Sequence, residues 1–475
     1  MALFALAVGL LVLGYFSYGR LVERLFGVEP NRATPALTRT DGVDYVPMPT
    51  WKVFLIQLLD IAGIGPIFGP IMGALYGPAA LLWIVLGSIL AGGVHDFFSG
   101  MMSIRFDGEN LPTLVGRTIG SKMRLLMLIF SLLLLILVGV VFVLSPAAVL
   151  ASLFGVNQSL LVVTIFVYYF LATILPIDKI IGRLYPLFGG LLLFMTVGVL
   201  TAMIAKKPLL PDLSLHHPHP ENLPLWPLLF ITLSCGAVSG FHSTQSPLMS
   251  RCLTNERYGR LVFYGAMLAE GVIALVWATV GLSLYEPNAL AAKINSGTAS
   301  VVVNETCRSL LGSFGGALAI LGVVVLPITS GDTAFRSARL IISEFIHLPQ
   351  KTAPKRLAIA IPVFLVGILL SRINFSVIWR YFGWSNQMLA TLVLWSAAFY
   401  LQKQNKPHWI ASLPAAFLSA VTLTFIFYSP LGLHLDYRLS SALGLGGACL
   451  LLLLRIAFAS RERENGQDKA GSRAF

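Results

Sequence analysis

Asp60-Ile61-Ala62-Gly63-Ile64-Gly65-Pro66-Ile67-Phe68-Gly69-Pro70 and Ser234-Cys235-Gly236-Ala237-Val238-Ser239-Gly240-Phe241-His242-Ser243-Thr244-Gln245-Ser246-Pro247 interrupt two long apolar runs. In each, glycine and proline fall near the middle of a stretch long enough to cross a bilayer. Proline removes a backbone donor and clashes with the preceding turn. Glycine permits the unwound geometry that replaces the helix. Peptide groups freed in lipid are costly, so such a break has to line a cavity or be covered by protein. Gly and Pro are also common in membrane helices that merely kink or pack closely. A matched pair is harder to explain that way.

The rest of the chain is that of a polytopic helical membrane protein. Its 475 residues are 56% hydrophobic and only 11% charged, with a mean hydropathy of +0.81. Soluble domains carry about 25% charged residues. The 30 Phe and 8 Trp need burial, which excludes a disordered chain. Long continuous apolar runs exclude an outer-membrane barrel, whose strands read as short alternating segments. The net charge of +12 comes without a basic and aromatic cluster, so nucleic acid is not an expected partner. Cys235, Cys252, Cys307 and Cys449 are scattered and read as reduced structural thiols.

Hydropathy predicts thirteen spanning helices, at 2–19, 51–77, 78–103, 122–150, 158–178, 183–205, 224–250, 259–285, 308–346, 355–373, 376–402, 408–428 and 438–459. The first lacks a basic leader, and Arg20 and Arg24 follow it, which reads as an anchor and not a signal peptide. With thirteen spans, 24 of the 33 Lys and Arg fall on one side and 6 on the other. The positive-inside rule then puts the N-terminus outside and the C-terminus in the cytoplasm. The interrupted second and seventh helices lie five apart and run in opposite directions, the pattern of an inverted-repeat transporter with its site at the midplane. The expected organisation is a peripheral helix and cytoplasmic linker (1–50), two five-helix repeats (51–205 and 224–402), two peripheral helices (408–460) and a polar, disordered tail (461–475).

Ionisable groups inside spans are functional candidates by default. Asp60 precedes the first break, where Gly63 and Gly65 supply the unwound backbone. Its carboxylate suits a proton, a cation or a substrate amine, or else the N–H groups freed by the break. Ser239, His242 and Gln245 belong to the second break, and Glu270 lies mid-span in the eighth helix as a proton-coupling candidate. His95 and Asp96, at a depth similar to His242, suit a proton relay or a divalent metal such as zinc. The competing reading is hydrogen-bonded residues at helix contacts. Thr329, Ser330 and Asp332 form a polar cluster in the ninth helix, where hydroxyls commonly bond their own helix. Asp332 and Arg336 are four apart and read as a structural or gate pair. The ninth helix is too long for one bilayer, so its end from Arg336 is expected to emerge as an amphipathic interfacial segment. His216-His217-Pro218-His219-Pro220 reads as a solvated loop.

Six stretches carry a family resemblance: Asp41–Pro47, Ile61–Pro66, Ala91–Phe97, Ser239–Pro247, Pro327–Arg336 and Arg380–Gln387. They resemble the carbon-starvation protein A (CstA) family of bacterial inner-membrane transporters, in its shorter form. The resemblance implies the amino acid–polyamine–organocation fold of two inverted five-helix repeats, and uptake of peptides or, in some members, pyruvate. It also implies a H⁺ or Na⁺ site where Thr329 and Ser330 face the first break, and a plug or gate at Asp41–Pro49. The expected function is secondary active import of short peptides by alternating access, with a small-carboxylate symporter and a channel as alternatives. No Walker loop, H-E-x-x-H or Gly-x-Ser-x-Gly motif is present, so neither ATP drive nor an enzyme is expected. No obligate protein partner is evident.

Overall fold

A computed structural model describes residues 2–175, 181–206, 210, 219–297, 299–373, 375–430 and 432–471. Among them the chain is helical, with one isolated bridge between Met48 and Leu253. In chain order the principal helices are α1 (Ala2–Phe16), α2 (Tyr18–Phe26), α3 (Thr50–Ile61), α4 (Gly65–Gly73) and α5 (Ala79–Arg105). Next come α6 (Ser121–Phe154), α7 (Gln158–Ile174), α8 (Ile181–Lys206), α9 (Leu225–Thr232), α10 (Gly240–Ser250) and α11 (Ala266–Leu284). The last are α12 (Pro287–Gly297), α13 (Ala299–Phe345), α14 (Ala353–Leu370), α15 (Phe375–Lys403), α16 (Trp409–Tyr428) and α17 (Tyr437–Gly471).

Among the described residues nine helices are long and apolar enough to span a membrane, or ten if the bent pair α3–α4 is one span. Thirteen were expected; of the four that are not among the nine, 51–77 is the bent pair and 376–402 forms one helix of 29 residues, α15. The segment 224–250 divides into α9 and α10, each too short to cross alone, and α7 is only 17 residues long. The ninth expected helix begins earlier, at Ala299, and is broken at Gly312 (φ 72°, ψ −174°), a conformation only glycine adopts readily. Arg336 and Arg339, expected on an amphipathic interfacial segment, are 1% and 0% exposed because segment 41–49 covers them, while Phe345 at the helix end is exposed. The last helix runs on to Gly471, past the expected boundary of an irregular tail. His216 to Pro218 lie outside the described residues. His219, expected in solvent, is buried with its ring 4.7 Å from Tyr76.

Both interrupted helices are broken. α3 ends at Ile61, Ala62 leaves helical geometry (ψ 63°), and α4 starts at Gly65 after a bend of 48°. α9 ends at Thr232 and α10 starts at Gly240, with Gly236 at φ 93° between them. The two breaks touch. A Cβ at Gly65 would stand 2.1 Å from Cys235 Cβ, so the bare α-carbon is what lets the chains meet. Around them α3 packs on α8, α10, α11 and α13, while α13 packs on α6, α7 and α8.

Candidate functional site

A cavity of about 400 Å³ lies over the meeting point. Gly65, Gly69, Ser234 and Cys235 contribute to its wall where the breaks meet, and His219, Glu221 and Asn295 come from its loop end. Asn386 of α15 holds the second break in place: its Oδ1 accepts from the Phe241 N–H (2.8 Å) and the Ser239 hydroxyl (3.1 Å). Gln387 Nε2 donates to Phe230 O (2.9 Å). Backbone groups released by the break are thus covered by protein side chains, as the low dielectric requires.

Beneath the first break the structure brings Asp60, Thr329, Ser330 and Asp332 together. Leu59 O, freed at the end of α3, accepts from both the Thr329 and Ser330 hydroxyls at 3.1 Å. The Tyr185 hydroxyl sits 3.1 Å from Asp60 Oδ1, 3.1 Å from Asp332 Oδ1 and 2.9 Å from Thr329 O. Tyr168 donates to Asp332 Oδ2 (2.7 Å). Asp60 Oδ2 has no hydrogen bond, and both carboxylates are 0% exposed. The Tyr168 proton goes to Asp332, the single Tyr185 proton is shared among Asp60, Asp332 and Thr329 O, and Thr333 stands beside both buried carboxylates. One further proton, or one monovalent cation, would supply the missing partner.

A second chain runs through α5, α10 and α11. His95 Nδ1 lies 2.7 Å from Asp96 Oδ1, and His242 Nδ1 lies 2.9 Å from Asp96 Oδ2. His242 Nε2 lies 3.3 Å from Glu270 Oε2. Glu270 thus stands at ion-pair distance from His242 of another helix, although neither of its carboxylate oxygens nor His242 Nε2 makes a side-chain hydrogen bond. All four are 0% exposed. His95 Nε2 and Glu270 Oε1 have no hydrogen-bond partner, and no group of three or more His, Cys, Asp or Glu among the described residues is arranged to hold a metal ion. Gln245 stays apart from both clusters, with Nε2 on Thr244 and Oε1 without a partner. Gly63 abuts the Phe142 ring.

Beyond the far end of α10, Asp44 is clasped by two arginines of α13. Arg336 Nη1 donates to it at 2.9 Å and Arg339 Nη2 at 3.1 Å. Burial pushes the Asp44 carboxyl up, but Arg339, Arg336 and Arg251 together outweigh it and hold it at about 2. Asp41 Oδ1 accepts the N–H groups of residues 43, 44 and 45, and Met48 N–H bonds Cys252 O, so segment 41–49 is tied beneath the helices. The Asp332–Arg336 pair read from helical spacing does not form. Arg336 turns to Asp44 and to carbonyls of α7 and its end (Ala172, Leu175), and Asp332 turns to the tyrosines.

Tyr168 and Tyr185 are the site residues that sequence reading missed; Asp44 lies in the stretch expected as a plug or gate, but its pairing with Arg336 and Arg339 was not foreseen. Tyr185 stands near a span end, where tyrosine ordinarily reads as the interfacial belt, Tyr168 is one aromatic among several in an apolar run, and no spacing rule pairs Asp44 with residues far along the chain. The one available signal was two acids in a proline-rich linker.

Broken helices that meet under a cavity, flanked by buried carboxylates in a bundle of apolar helices, define a multi-pass membrane protein of transporter architecture. The fold matches a mutant of the manganese transporter of Eremococcus coleocola with a TM-score of 0.53, over 88% of this chain and 98% of that one, at 17% identity. The model of the family described as carbon starvation protein CstA matches residues 1–146, 143–309 and 283–425, and the chain belongs to that family. An uncharacterized membrane protein of Haemophilus influenzae is 47% identical over 62% of this chain and 94% of its own length. The peptide transporter CstA of Campylobacter jejuni is 26% identical over 88% of this chain and 78% of its own. The pyruvate/proton symporter BtsT of Escherichia coli is 28% identical over 56% of this chain and 46% of its own. Family and structural neighbours are transporters, not enzymes, and the chain is a multi-pass protein of the inner membrane.

Proposed function

We propose that the protein is a secondary active importer of short peptides, working by alternating access between two inverted five-helix repeats, with its N-terminus outside. The observation that carries this reading is the contact of two broken helices beside a cavity while, beyond the far end of α10, two arginines clasp Asp44. Alternating access needs one closed and one open side around a shared site. The Asp60–Tyr185–Asp332 cluster is the coupling site: a H⁺ or Na⁺ bound there neutralises one charge and links the first break to α13. Glu221 at the cavity rim suits the amine of a peptide.

The competing substrate is pyruvate or another small carboxylate, favoured by likeness to a pyruvate/proton symporter over half the chain. Uptake of a dipeptide panel and of pyruvate into proteoliposomes, under imposed pH and Na⁺ gradients, separates them. Peptide accumulation driven by one gradient is expected, and Asp60→Asn and Glu270→Gln should abolish concentration against a gradient. Pyruvate accumulation alone would replace the peptide reading. Discrete single-channel openings in planar bilayers would replace the transporter reading altogether.

A further inference from the structure

Among the described residues, Arg455 of α17 is a buried cation without a counter-charge. It is 3% exposed. Its Nη1 donates to His408 Nδ1 (2.7 Å) and Nη2 to Ala398 O (3.2 Å), while Nε has no hydrogen-bond partner. Arginine only donates, so His408 Nδ1 is the acceptor. Among the described residues no carboxylate faces the guanidinium. A cation held at membrane depth is costly unless it is paired or hydrated.

The guanidinium closes a cavity of about 320 Å³ between α15, α16 and α17, whose walls include Leu392, Trp395, Phe399, Leu423 and Leu451. Leu451 and Leu454 are exposed, so the cleft opens towards lipid. Lys122 at the start of α6, Lys403 at the end of α15 and Lys406 before α16 stand at the same end of the bundle. An apolar slot capped by an unpaired cation, at a basic membrane face, complements one kind of occupant.

We infer that this cleft binds an anionic phospholipid, its phosphate on Arg455 and one acyl chain among the apolar walls. The seat matters for the breaks. α15 lines the cleft with Leu392, Trp395 and Phe399, and through Asn386 and Gln387 it holds the second break. A seated lipid braces the helix that positions that break.

Native mass spectrometry of the delipidated full chain tests this, with phosphatidylglycerol and phosphatidylcholine of identical acyl chains titrated separately. One paired charge predicts about fivefold tighter binding of phosphatidylglycerol. Arg455→Gln should bring the two lipids to within about twofold, since the paired charge is the source of the preference. Leu451→Trp fills the slot, leaves the charge in place, and should remove the bound phosphatidylglycerol; it answers the question even if Arg455→Gln does not fold. Equal affinities in the parent, an unchanged preference in Arg455→Gln or Leu451→Trp, or a dimer that covers the cleft and takes up no lipid would each overturn the assignment.

Discussion

At the scale of single residues, the Tyr185 hydroxyl stands between two carboxylates that sequence placed in different repeats. A hydrogen bond to a charged group is worth roughly 1.5–3 kcal/mol, so Tyr185→Phe is expected to cut gradient-driven uptake by about 10–100-fold. Substrate exchange at equal concentrations, which needs no coupling ion, should fall much less. Parallel uptake and counterflow measurements check this. Asp44 has its own signature. Its folded pKa, about 2, lies below the ordinary 3.8, so the clasp contributes fully above pH 3.8 and is lost as pH falls through about 2. Breaking one partner of a buried charge pair costs about 3–5 kcal/mol. Asp44→Asn should therefore lower the melting temperature in detergent at pH 7. The gap to the parent should stay constant down to pH 4 and narrow only below it. A gap already closing at pH 6 would assign the stability to another group.

Among elements, the breaks were legible and their contact was not. Gly and Pro in apolar runs mark interrupted helices because backbone chemistry is local. That Gly65 touches Cys235 follows from packing, which no local pattern encodes. Ala at 65 would put its Cβ 2.1 Å from Cys235 Cβ, and overpacking of this kind costs about 1–3 kcal/mol. Gly65→Ala should reduce transport by about tenfold, and Cys235→Gly in the same chain should restore most of it. Proteoliposome initial rates of the two single variants and the double variant check the coupling. Absence of rescue would mean that the contact is not what Gly65 provides. The same limit explains α13. Helical spacing offered Asp332–Arg336, a pair on one face, but Asp332 found tyrosines on other helices and Arg336 found Asp44 in the linker. Gly312 ended the continuous helix where hydropathy saw only an apolar run.

At the scale of the whole molecule, the cavity and the Asp44 clasp lie at opposite ends of α10, which begins near Cys235 and ends beside Arg251. Cys235 is half-buried beside the cavity and Cys252 is fully buried next to the clasp. In a Cys449→Ser background, a membrane-impermeant maleimide should label Cys235 from one side of the membrane only. Adding Asp44→Asn should lower that rate and raise labelling of Cys252 from the other side, as the clasped end opens. Labelling unchanged by Asp44→Asn would mean that the clasp does not gate access.

Composition, apolar run length and the placement of glycine and proline were enough to establish a helical membrane protein with two interrupted spans, because lipid admits few backbone solutions. The buried acids and histidines could be named for the same reason, since charge at that depth is rare. Which acid meets which tyrosine, that His242 bridges Asp96 and Glu270, and that Asp44 takes both arginines required the folded chain. Those partners lie on different helices or, for Asp44, on the linker beneath them, and their meeting is set by close packing, not by distance along the sequence.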